Sequence, residues 1–158
     1  MRRVSAIKPA GAWNAAQPLD CVVLDADERH RRRTVLTAEQ GTSFLLDLPH
    51  ATVLHDGDGL VLDDGSIVRV VGRPEALIEV TAADAHALAR LAWHLGNRHT
   101  EVQVVGDRLR IRRDHVLEKM LADLGAELRA VEAPFEPERG AYDHHAHAAD
   151  HHGHEHGE

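Results

Sequence analysis

The chain has 158 residues, enough for one medium domain or two small ones with a tail, and its 43% hydrophobic content is compatible with a packed core. Aromatic residues make up only 3%, so the core must be aliphatic, and a formal charge of −8 runs against a protein built around nucleic acid. One cysteine excludes an intramolecular disulfide and a Cys-rich zinc site. No run nears the ~20 apolar residues of a bilayer span, and Lys8-Pro9 breaks any signal-like apolar stretch, so a soluble, cytoplasmic protein without membrane contact is expected.

Residues 1–74 read as β-rich. Short apolar runs at 22–24, 34–36, 44–48, 60–62 and 67–71 are separated by turn chemistry such as Asp56-Gly57-Asp58-Gly59 and Asp63-Asp64-Gly65-Ser66. Cys21 opens the first of these runs and is expected to be a small buried hydrophobe. Strands at this spacing predict a small sandwich or barrel, ending at Gly72-Arg73-Pro74, where proline breaks pairing. The basic run Arg29-His30-Arg31-Arg32-Arg33 is expected to face solvent at alternate positions. It fits an acidic protein partner better than nucleic acid.

Beyond the boundary the periodicity changes. A strand is expected at 76–80, then a helix capped by Thr81-Ala82-Ala83-Asp84 and carrying Ala85, Leu88, Leu91, Ala92 and Leu95, with Gly96 as its left-handed terminator. Residues 101–105 and 108–112 alternate about Gly106-Asp107 as a hairpin. Asp114 caps a second helix with Val116, Leu117, Met120, Leu121 and Leu124, stopped by Gly125, and 127–131 forms a last strand. This β-α-β-β-α-β order predicts a ferredoxin-like domain over 75–138. From Ala133 onward periodicity is lost, and the composition predicts a disordered tail over 139–158.

The tail carries the least ordinary chemistry. Seven of the last fifteen residues are histidine (His144, His145, His147, His151, His152, His154 and His156), interrupted by Ala, Asp, Gly and Glu, with no Lys or Arg. At pH 7 roughly three quarters of ordinary imidazoles are neutral, and neutral imidazole is a good ligand for nickel, copper, zinc and cobalt. Asp143, Asp150, Glu155 and Glu158 offset cation charge. Such a tract gathers several exchangeable ions with little selectivity.

A second histidine centre is Trp93-His94-Leu95-Gly96-Asn97-Arg98-His99-Thr100. His99 follows the first helix and is accessible, but one imidazole holds a transition metal weakly; a two-fold dimer axis would supply its copy, and the tail could complete the shell. Asp114 has a sufficient role as a cap, and His115 in the first turn of the second helix is a weak surface ligand at most. His30, His50, His55 and His86 share no spacing and are expected to be solvated or locally hydrogen-bonded. No His-Glu-x-x-His, Gly-x-Ser-x-Gly, Gly-x-Gly-x-x-Gly or phosphate-loop pattern occurs, so catalysis is not expected.

Four segments in order, HLGNRH (94–99), DHVLEKMLADLG (114–125), APFEPERGAY (133–142) and the histidine-rich terminus, resemble the urease accessory nickel metallochaperone family, UreE. The likeness is closest from about 87 to 142; the N-terminal region is compatible without a sharp motif. The resemblance implies a homodimer with His99 as principal ligand, paired across the axis. It also implies an N-terminal domain similar to peptide-binding modules. Ni²⁺ would be delivered to apo-urease through the other urease accessory proteins, with Zn²⁺ or Cu²⁺ able to occupy the same sites. His115 matches a secondary surface metal position of the family. Where a further histidine can occur two residues earlier, this chain has Arg113, whose guanidinium cannot ligate. A general nickel or zinc buffer without a delivery partner is the alternative, although it leaves the β-rich region without a role.

Overall fold

The computed structural model describes residues 1–140. The chain forms β1 (Arg2–Lys8), β2 (Asp20–Leu24), β3 (His30–Thr37), β4 (Ser43–Val53), β5 (Gly59–Leu62), β6 (Ile67–Gly72), β7 (Pro74–Thr81), α1 (Ala85–Asn97), β8 (Gln103–Val105), β9 (Arg108–Arg112), α2 (His115–Asp123) and β10 (Glu127–Pro134). They make a mostly β molecule with two sheets, the second carrying both helices.

The first sheet has the strand order β2-β6-β5-β1-β4-β3 and mixes parallel pairs, β1 with β4 and β2 with β6, with antiparallel ones. Period-two alternation in β2 turns Val22 and Leu24 inward, where they meet Phe44, Leu46, Leu60, Leu62, Val68 and Val70 in one aliphatic cluster. Cys21 lies on the other face and is only half-buried, because the inward position beside it belongs to Asp20. That buried carboxylate accepts from the amides of Cys21, Gln40 and Thr42 and ties the 38–42 turn to β2. β1 was not legible as a strand: only Val4 of its seven residues is buried.

The second sheet has the order β10-β7-β9-β8, antiparallel throughout, in the β-α-β-β-α-β order expected. Ile78, Val80, Leu109 and Ile111 pack on Leu91, Leu95 and Leu121 of the helices. The helix α1 begins later than the Thr81 cap implies. Asp84 is its N-cap, accepting from the Ala87 amide at 2.7 Å, and Thr81 remains in β7. A longer strand wins because Thr81 pairs with Glu127.

The two sheets are packed together. Leu77 of β7 and Phe135 are fully buried with Ala26, and Arg112 lies 5.0 Å above the Phe135 ring. Gly72 sits at this junction, and a Cβ there would come within 2.7 Å of the Pro134 side chain. The basic run does not alternate as expected: Arg31, Arg32 and Arg33 are all exposed, and Arg29 is buried at 1% exposure. It donates to the carbonyls of Leu24, Leu54 and Phe135 and forms an ion pair with Glu136 at 2.9 Å. No helix of the described residues is long and apolar enough to cross a membrane.

Candidate metal centre

The end of α1 presents His99. Arg98 is the C-cap; the amide of His99 bonds the Gly96 carbonyl at 3.0 Å, and that of Thr100 bonds the Leu95 carbonyl at 3.1 Å. These two bonds make a Schellman closure, in which the residue after the cap takes the left-handed conformation. That residue is His99, with φ 57°, and it is the sole non-glycine at positive φ among the described residues. The expectation that Gly96 would turn the chain is therefore corrected: Gly96 is still helical, and the turn falls three residues later.

The helix α2 closes in the same way, with the Gly125 amide on the Ala122 carbonyl and that of Ala126 on the Leu121 carbonyl. There the left-handed position is Gly125, at φ 90°. The contrast isolates what His99 costs. A side chain at such a position is disfavoured by about 1 kcal/mol relative to glycine, and non-glycine outliers of this kind gather at functional positions. His99 is exposed.

Around it, Trp93 is 63% exposed and meets the His94 ring edge-on, with centroids 5.0 Å apart. Thr100 and Glu101, just beyond His99, share a shallow cavity of about 150 Å³ with Arg112, Arg113, Asp114 and Leu117 at the start of α2. His115 opens α2 and is exposed. Asp114 acts as the cap, accepting from the amides of Val116 at 2.9 Å and Leu117 at 3.0 Å. Arg113 pairs with Glu118 at 2.9 Å. Burial pushes the Glu118 carboxyl up, but Arg113, the Asp114 amide and His115 outweigh it and hold it below the ordinary range.

Among the described residues no three His, Cys, Asp or Glu side chains converge as a ready metal site. His99 and His115 thus lack a completed ligand set within the described part of the chain. The sequence candidates His144, His145, His147, His151, His152, His154 and His156 lie outside the described residues. The structure also brings together histidines that sequence spacing left scattered: His30, His50 and His55 line one cavity with Arg139. Only the pairing of β3 with β4 reveals that proximity.

Comparison with known proteins agrees with this two-part architecture. The family description "UreE urease accessory protein, N-terminal domain" matches residues 2–72, and "UreE urease accessory protein, C-terminal domain" matches residues 75–158. The chain belongs to the UreE family of urease accessory proteins. The urease accessory protein UreE of Bradyrhizobium sp. (strain BTAi1 / ATCC BAA-1182) is 51% identical over 98% of this chain and 75% of its own length. That of Beijerinckia indica is 50% identical over 94% of this chain and 88% of its own. That of Ruegeria sp. (strain TM1040) is 57% identical over 80% of this chain and 70% of its own.

Proposed function

We propose that the protein is a cytoplasmic nickel metallochaperone, not an enzyme, that carries Ni²⁺ as a homodimer and delivers it to apo-urease with the other urease accessory proteins. The observation that carries this reading is the exposed, left-handed His99 at the end of α1, retained where glycine would close the helix at lower cost. In a two-fold dimer two such rings would face one ion with incomplete coordination, which favours exchange over retention. The ferredoxin-like unit over 75–138 holds this ligand, and residues 1–74 serve docking to a partner.

The tail histidines, residues 144–156, gather ions and raise their concentration beside that centre. His115 is an accessory surface ligand, isolated by the Arg113–Glu118 pair beside it. Zn²⁺ and Cu²⁺ would compete, since affinity for imidazole rises from nickel to copper. Removal of residues 143–158 discriminates carrier from buffer. A carrier still activates apo-urease in a reconstituted assay at reduced nickel capacity, whereas a protein that only stores metal in its tail loses all effect.

A further inference from the structure

The strand β3 is an edge of the first sheet. From Arg31 to Thr37 it pairs with β4 alone, so the amides and carbonyls on its other side have no strand beside them among the described residues. Such a row of backbone donors and acceptors is a template for another extended chain. The strand carries Arg31, Arg32 and Arg33 in succession, all exposed, followed by Val35 at 54% exposure. Regular pairing from Arg33 to Thr37 puts Arg33 and Val35 on one face by alternation.

These three guanidiniums stand apart from the arginines of the second sheet, where Arg108, Arg110, Arg112 and Arg129 all hold carboxylates. Among the described residues Arg31, Arg32 and Arg33 form no ion pair, although the chain carries a net charge of −8. Arg31 donates only to the Glu28 carbonyl, at 3.2 Å. Asp47 lies in register opposite Arg33 and makes no ion pair with it. The edge therefore offers both unused backbone groups and uncompensated positive charge.

Charge decides what can occupy it. A second copy of β3 would bring two arginine triplets onto one seam, which like-charge repulsion opposes. Nucleic acid would meet the guanidiniums but would leave the edge amides and carbonyls without partners in register. A strand rich in Asp or Glu satisfies both needs, with main-chain bonds along the edge and carboxylates that accept from the guanidinium forks. Val35 then calls for an apolar residue beside the carboxylates. We propose that β3 receives an extended acidic segment of a protein partner by strand addition. This rests on the reading of residues 1–74 as the docking region, and it names the surface and the chemistry of what docks there.

Amide hydrogen exchange in the full-length protein tests this, with a blocked peptide of alternating Glu and Val, as long as β3, as the first titrant. Exchange of the β3 amides that face away from β4 should slow on binding. Replacing Glu by Gln in the peptide, or R31Q/R32Q/R33Q in the protein, should weaken binding about tenfold. A peptide that fails to bind, or binds without slowing these amides, overturns strand addition. Oligodeoxythymidylate that protects the edge better than the peptide overturns a protein partner. The second titrant, apo-urease with the other urease accessory proteins, separates this inference from the reading beneath it. Protection along β3 supports both. Protection elsewhere within residues 1–74 overturns the edge and keeps the docking role, and no protection within residues 1–74 overturns both.

Discussion

Arg29 and Glu136, 107 positions apart, form an ion pair of 2.9 Å across the junction between the two sheets, with the guanidinium buried and the carboxylate partly exposed. The same guanidinium satisfies the carbonyls of Leu24, Leu54 and Phe135. One side chain from the turn between β2 and β3 thus fixes the segment that leaves the second sheet.

Removing it leaves three carbonyls and a carboxylate short of their donor. Arg29→Met should cost about 3 kcal/mol, at the lower end for a broken buried pair because Glu136 remains partly solvated. Urea denaturation measures this directly. A loss under ~0.5 kcal/mol, the scale of an ordinary surface substitution, would mean that the junction does not depend on Arg29.

His99→Gly separates fold from function at a single position. Glycine relieves the left-handed backbone, as Gly125 does at the end of α2, so the variant should be as stable as the parent or more so by up to ~1 kcal/mol. Its nickel affinity should fall. Thermal melting alongside metal titration gives both numbers, and a variant that is less stable would show that the imidazole has a structural task.

Acid stability should reflect buried carboxylates. Burial pushes the Glu79 carboxyl up, yet hydrogen bonds from Arg108 at 2.7 Å and Arg110 at 3.1 Å, with the charges of Arg108 and Arg129, hold it below the ordinary range. Burial pushes the Asp20 carboxyl up, but the amides of Cys21 and Gln40, with the side chain and amide of Thr42, outweigh it and lower it. A depressed folded value means that the unfolded chain binds more protons, so the stabilisation is present above the unfolded value near 4.5 and is lost as pH falls through the folded one. Glu79→Gln should be less stable at pH 7 and show a shallower decline below about pH 4.5. On the surface, Ser66 and Arg2 draw the Asp64 carboxyl down to about 2, which a carbon-detected NMR titration would register.

Nickel uptake should fall as pH drops through about 6.5, where ordinary imidazoles take up protons that compete with the metal. Dialysis at stepped pH measures the release. Uptake that is flat from pH 7.5 to 5.5 would assign the bound ions to carboxylates.

The sequence exposed what local chemistry controls. The apolar runs of β2 and β6, the Gly106 hairpin, the Asp114 cap and the Gly125 stop each announce themselves within a few residues. What stayed hidden depends on distant partners. Arg29 looked like a surface charge until its acceptors arrived from positions 54, 135 and 136. Gly96 has the residue type that favours a left-handed helix stop, but α1 runs on to Asn97 and the left-handed turn falls at His99. His30, His50 and His55 come to line one cavity only through strand pairing. The carboxylate partner of His55, Glu136, lies 81 residues away, and no local pattern shows it.

The most direct measurement is nickel titration with native mass in parallel, comparing the full-length protein with His99→Ala in a background whose tail histidines are alanine. Two chains should share one tight ion in the parent tail background, and that site should vanish with the His99 ring while the dimer persists. An unchanged tightest site in the His99→Ala protein would contradict the account.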